Sequence, residues 1–513
     1  MSLFLGIDIG TSGTRALLMD ETGAVRGSAS APHTCQSPKP MWSEQDPAEW
    51  WEAVKQAVPA ALQKAGARPE GIKGIGLSGQ MHGLTLLDKG NRVLRPAILW
   101  NDQRTAEECA EITRRAGGRK GLFKLVCNPA LTGFTAPKIL WVRKHEPEVY
   151  ERAAHILLPK DYVRFLLTGE YATEVSDASG MLLLDIRKRA WSRQLLGRLQ
   201  IDEALLPRVY ESPEVSGRVS AEASAALAGA VLPGTPVVGG GGDQAAGAVG
   251  AGIVREGIAS VCLGTSGVVF LHTEAVKLDP KGRLLHTFCH AVPGKWHVYG
   301  AALSAGGSLQ WFRNALGEPE MGLAKAMDRD PYDLLVDQAR QVRAGCDGLC
   351  FLPYLTGERT PHGDPYAKGV FVGITPTTTK GALVRAIVEG VCYSLRDSLE
   401  IFRSLKLPVR EIRVTGGGTK NPFWRQMMAD VFGQPNCALV TSEGSAYGVA
   451  ILAAVGTGAF NSVQEACGAL VRTCDPVQPG KENQKVYERY YPLWQGLYRS
   501  LKKDFEKLAK ATG

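Results

Sequence analysis

No stretch of the 513 residues stays apolar long enough to read as a membrane span. The best candidate, ALAGAVLPGTPVVGGGG, is broken by Pro and Gly and runs into Asp243. The N-terminus lacks the basic stretch and apolar core of a secretory signal. No compact basic stripe with interleaved aromatics is present, so the net charge of +8 does not mark a nucleic-acid surface. Metal-site spacing is missing too: Cys346 and Cys350 lie four apart, but no second pair follows, and the histidines near His82 show no ligand spacing. The eleven cysteines are scattered, which fits a reducing, cytoplasmic setting better than a disulfide scaffold. Two nucleotide-binding patterns are also absent, the lysine-and-hydroxyl ending of a Walker loop and the three-glycine dinucleotide fingerprint.

What the sequence does contain is a phrase used twice. GTSG occurs at residues 10–13 and again at 264–267, each time between two apolar runs. Before the first copy, Leu3, Leu5, Ile7 and Ile9 alternate with Phe4, Gly6 and Asp8, a period of two that predicts a strand buried on both faces. A glycine turn and a second apolar strand follow, and DETG at 20–23 predicts the turn of the next hairpin. The repeat falls near mid-chain, so the sequence reads as two related domains: 1–250, 251–480, and a terminal helical segment at 481–513. GTSG alone makes an ordinary turn in many proteins. Two copies, with GGGG before Asp243 and GGG before Asn421, argue for backbone amides wrapping a polyphosphate.

Other stretches predict mixed sheet and helix. Asp46-Pro47 with Glu49 reads as a capped helix start with Glu49 in the capping-box position, and Pro59 should bend or end that helix. IKGIGL predicts a strand leading into SGQMHG. Asn421 and Gly433 read as the start and stop of a later helix. In the terminal segment, Leu493, Leu497, Leu501, Phe505 and Leu508 recur at helical spacing as the packed face.

Asp8 sits at the exit of an apolar strand, where it either bonds the turn amides or holds Mg²⁺ beside phosphates. Asp243 either caps its helix or accepts the proton of an attacking hydroxyl. An ordinary Asp pKa of about 3.9 would leave it ionised at pH 7. Met81-His82 is either core packing or, with ILWNDQRT, the wall of a cleft for a polyol.

At this point the residues resemble a family. GIDIGTSGTRALLMD, WSEQDP, SGQMHG, RPAILWNDQRT, GFTAPKILWVRKH, LLPKDY, GGGGDQAAGAVG, CLGTSG, FLPYLTGERTPH and GGGTKNPFWRQMMADVFG are similar, over nearly the whole chain, to the FGGY family of carbohydrate kinases. The resemblance implies an α/β fold of two actin-like ATPase (ribonuclease H-like) domains flanking a central cleft. The N-terminal domain would bind sugar and the C-terminal domain ATP. It implies that Asp8 positions Mg²⁺ and phosphates and that Asp243 is the general base. Met81 and His82 would contact the sugar, with Gln244, Trp100 and Asn101 nearby. Thr11, Ser12, Gly264 and Thr265 would lie along the phosphates, and Gly306, Gly307, Gly417, Gly418 and Asn421 would line the nucleotide's far end. SGQMHG with RPAILWNDQRT points to D-xylulose rather than glycerol. A homodimer with no nucleic-acid or membrane partner completes the expectation. Gln244 replaces the Asn found in some relatives, and Cys262 stands where Ser can occur. The alternatives are a kinase of another small ketose or polyol, or an actin-like ATPase that turns over ATP without sugar.

Overall fold

Two seven-stranded sheets organise the chain. The computed structural model describes residues 1–283, 285–441 and 443–511. In the first sheet, Leu3–Ile9 pairs antiparallel with Gly13–Asp20 and parallel with Ile72–Gly79. Val25–Pro32 extends one side; Pro236–Val238 and Val215–Arg218 extend the other. The second sheet repeats the order: Gly257–Leu263 pairs antiparallel with Gly267–Thr273 and parallel with Val409–Thr415. Asn436–Leu439 and then the antiparallel edge strand Thr473–Val477 follow. GTSG therefore closes the same first hairpin in both sheets, and the expected pair of ribonuclease H-like sheets is present.

Local chemistry explains most helix ends. Pro47–Ala65 starts where the Asp46 carboxylate accepts from the Ala48 N–H (3.0 Å) and stops at Gly66, whose φ is 58°. Two details differ from expectation. Glu49 does not close a capping box; its carboxylate accepts from the N–H (2.7 Å) and hydroxyl of Thr34. The helix also continues through Pro59, because buried Trp50, Val54, Ala57, Val58, Ala61 and Leu62 hold it down on both sides of the break.

The terminal helix, Lys481–Ala511, keeps part of its predicted face, with Phe505 buried and Leu497 and Leu501 partly packed on the core, but the rest of that face differs. Leu493 and Leu508 are exposed, whereas Tyr487, Tyr491, Trp494, Tyr498 and Phe505 are buried. The aromatics bury more area than leucines and bring polar ends that find partners: Tyr498 donates to Asp364 (2.8 Å) and Trp494 to the Phe351 carbonyl (2.8 Å).

Helix Gly444–Gly456 follows a strand of the second sheet but packs on the first. Glycine makes that approach close enough. A Cβ on Gly6 would lie 1.9 Å from the Ala446 carbonyl oxygen, and one on Gly76 2.0 Å from that of Val449. The same helix meets Asp243–Gly250, where a Cβ on Gly448 would lie 1.8 Å from the Ala246 oxygen. Gly448→Ala is expected to cost about 3 kcal/mol or more, since backbone rather than side chain must move, and the helix-propensity gain of about 1 kcal/mol does not offset it. A urea midpoint equal to that of the unsubstituted protein would refute this.

Candidate active site

The first turn is built from its own backbone: the Gly10 N–H donates to the Gly13 carbonyl at 3.0 Å. Asp8 precedes it, with Ser78 and Arg15 as its partners in register on the flanking strands. Its Oδ1 is buried without a hydrogen-bond partner. Burial raises the carboxyl pKa above the ordinary value, while the neighbouring Ser78 hydroxyl and the Arg15 charge lower it. A buried oxygen left unpaired beside a glycine turn fits a divalent cation held by one carboxylate and substrate phosphates. Among the described residues no three His, Cys, Asp or Glu side chains gather to hold a metal by themselves.

Ser78 is also the register partner of Gly241, so the turn carrying Asp243 begins two strand spacings, about 9.6 Å, from Asp8. Asp243 is the first residue of helix Asp243–Gly250, and the capping position is Gly242. Burial first, then the charge of Asp8, pushes the Asp243 carboxyl up to about 7, with Gln244 opposing through backbone and side-chain hydrogen bonds. The ordinary value expected from the sequence is therefore displaced, because a second carboxylate and a dry floor lie close by. Gln244 Nε2 donates to Asp243 Oδ1 at 3.3 Å.

Charges that sequence reasoning missed lie beneath this turn. Lys160 Nζ is 2.6 Å from Asp161, 3.3 Å from Asp177 and 3.7 Å from Glu174, and all four side chains are fully buried. Arg164 donates to the carbonyls of Val238 and Gly239 and to Ser216 Oγ, each at 2.6 Å. Ser176 Oγ accepts from the Gly242 N–H at 3.1 Å. The glycines before Asp243 are thus clamped rather than loose. LLPKDY was the visible trace of this network, but nothing local showed what Lys160 and Arg164 reach.

On the sugar side, Met81 is buried against Gly242, where a Cβ would meet its Cγ at 3.0 Å. His82 has a φ of 70°, a strained conformation for a residue with a side chain. Lys138 Nζ (2.8 Å) and Thr135 Oγ1 (3.1 Å) donate to its carbonyl and hold it there. This is what GFTAPKILWVRKH does. His82 Nδ1 lies 2.9 Å from the Gly180 carbonyl, so Nδ1 carries the proton and Nε2 is an acceptor. Burial and the Lys138 charge push its pKa down to about 3, so the ring is neutral. Trp100, partly exposed, donates from Nε1 to Thr11 Oγ1 at 3.0 Å. Asn101 is exposed and its side chain makes no hydrogen bond among the described residues. Ser12 is exposed at the tip of the same turn.

The second turn is braced from behind. The Gly306 N–H donates to the Gly264 carbonyl (2.9 Å) and that of Gly307 to the Thr265 carbonyl (3.0 Å), which places the start of helix Gly306–Leu316 against the turn itself. The turn at Gly417–Lys420 packs there too: a Cβ on Gly418 would lie 2.4 Å from Leu263 Cδ2. Asn421 is engaged at both ends of its amide, accepting from the Phe423 N–H and donating to Asp333, each at 3.0 Å. On the strand leading into the second turn, the Cys262 thiol pKa is raised by desolvation first, with the Thr415 side chain opposing and the charge of Asp243 adding to the rise.

Residues 3–250 match the N-terminal domain, and residues 259–457 the C-terminal domain, of the FGGY family of carbohydrate kinases. The chain is 41% identical to the xylulose kinase of Escherichia coli strain K12 over 84% of this chain and 85% of that protein. It is 39% identical to the xylulose kinase of Lactococcus lactis subsp. lactis over 98% and 97%. The crystal structure of xylulose kinase from Rhodospirillum rubrum is similar with a TM-score of 0.89 at 32% identity, covering 98% of this chain and all of that one.

Proposed function

The chain belongs to the FGGY family of carbohydrate kinases, and on that premise we propose that it transfers the γ-phosphoryl group of ATP to the 5-hydroxyl of D-xylulose. The observation behind this reading is a pair of half-buried side chains: Asp243, a carboxylate whose pKa is pushed up to about 7, and His82, a histidine locked in one tautomer whose neighbour Met81 packs on the Gly242 turn. The sugar's terminal oxygen attacks the γ-phosphorus in line. Its bond to phosphorus forms as the bridging bond to ADP breaks, and its proton passes to the free oxygen of Asp243 late in the transfer. Gln244 orients that carboxylate through Oδ1 rather than gripping the sugar. His82 Nε2 accepts from a sugar hydroxyl, and Met81 supplies an apolar wall. Thr11 and Ser12 from one side, and Gly264 and Thr265 from the other, offer amides and hydroxyls to the phosphates. Asp8 fits Mg²⁺, which neutralises phosphate charge when bound with ATP.

The test is coupled ADP release with ATP and Mg²⁺ against D-xylulose, L-ribulose, D-ribulose, xylitol, glycerol and no sugar. Release that depends strongly on D-xylulose and yields a 5-phosphorylated product is expected. Equal release without sugar would make the cleft an ATPase site and discard the roles given to Met81 and His82.

A further inference from the structure

Two sugar-side elements end on one residue of the first phosphate turn. From one direction the Trp100 indole donates to Thr11 Oγ1. From the other, Gln45 Nε2 donates to the Thr11 carbonyl at 2.5 Å, and Gln45 Oε1 accepts from Gln80 Nε2 (2.6 Å) and from Trp50 Nε1 (3.0 Å). An indole N–H can only donate, so the oxygen of Gln45 must face Trp50 and its NH₂ must face Thr11. Gln80 immediately precedes Met81-His82, and its own N–H donates to the Ile9 carbonyl at 2.8 Å. Both amides are 1% exposed. Gln45 comes from WSEQDP, a motif the reaction above does not use.

The Trp100 arm is held as firmly. The Arg104 guanidinium lies 3.5 Å from the Trp42 ring centre, with Trp141 at 4.9 Å, and pairs with Asp102 at 2.6 Å. That box anchors the loop that presents Trp100.

We propose that Gln45 is a positioning residue that couples sugar binding to nucleotide binding, transmitting the placement of the Gln80–His82 loop to the Thr11 peptide, with the Trp100 indole as a second arm. The inference rests on the sugar-kinase reading. Sugar that settles Met81, His82 and Trp100 fixes both the carbonyl and the hydroxyl of Thr11, where the turn faces phosphate. Linkage requires the effect to be mutual: ADP strengthens sugar binding by the same factor.

Calorimetric titration of ADP with and without saturating D-xylulose measures that factor, expected to be about tenfold in the unsubstituted protein. Gln45→Met keeps the bulk and loses the hydrogen bonds; Trp100→Phe keeps a ring and loses the N–H at a partly exposed site where folding is safe. Each should bring the factor to within about twofold of unity. Trp50→Phe removes a donor to the same Gln45 oxygen but spares the path to Thr11, and should keep the factor. A factor preserved in Trp100→Phe and in folded Gln45→Met overturns the proposal, and so does an equal loss in Trp50→Phe, which would signify general loosening. If the unsubstituted protein phosphorylates D-xylulose but binds ADP indifferently to it, the coupling alone is wrong. If it does not phosphorylate D-xylulose, the functional reading and the coupling fall together.

Discussion

Asp243→Asn is expected to lower D-xylulose phosphorylation by about 10²–10⁴-fold, the scale of a lost general base, and to make the protein harder to unfold at pH 8. The two effects have one cause. The folded protein raises the Asp243 carboxyl from 3.8 to about 7, so it holds that proton more tightly than the unfolded chain does. The stability linked to this proton is fully present below about 3.8 and is lost as pH rises to about 7. Above that, a charged carboxylate sits in a poorly solvated place beside Asp8. Asparagine has no charge to bury. At 1.36 kcal/mol per pKa unit, the advantage of the variant at pH 8 is at most about 4 kcal/mol, and it should vanish near pH 4. Urea midpoints at the two pH values test the second effect. An advantage equal at both would mean that the carboxyl is not raised, and near-normal turnover would remove Asp243 from the chemistry. In the unsubstituted protein, kcat/KM should fall about tenfold per pH unit below about 7, because a protonated Asp243 accepts nothing.

Gly180→Ala should cost about 100-fold in kcat/KM for D-xylulose while leaving the fold intact. Gly180 has a φ of −77°, which alanine adopts without strain. Its added Cβ, however, would lie 2.3 Å from both Cε1 and Nδ1 of His82 and 3.2 Å from Met81 Cε. The imidazole must move, and with it the acceptor that meets the sugar; displacements near 1 Å are worth about this much. The sugar-free ATPase rate, read beside it, should not change. Unaltered kcat/KM would show that His82 does not hold substrate.

Much of this site was legible because its signals are local. The two GTSG turns, the exit position of Asp8 and the glycine run before Asp243 are each written in fewer than ten residues. The strand-turn-strand reading followed from a period of two in the first half and from the repeat of GTSG between apolar runs in the second. What was not legible depends on partners far along the chain. The altered affinity of Asp243 for its proton comes from burial first and then from the charge of Asp8, two strands away. Lys160 and Arg164 look like ordinary helix-face charges until Glu174, Asp177, Val238 and Gly239 are folded beside them. Local rules also lost to packing: Glu49 left its capping box for Thr34, and the terminal helix turned its tyrosines inward in place of Leu493 and Leu508.

The helix Gly444–Gly456 also bears on how the chain is made. The first sheet is complete once Gly242 has been synthesised, but the element that covers Gly6, Gly74 and Gly76 comes roughly 200 residues later. At about 5–20 residues per second, a nascent chain waits on the order of 10–40 s with that apolar, glycine-lined face bare. The face is therefore a natural contact for whatever guards emerging chains, and a fragment ending near residue 250 would carry it permanently uncovered.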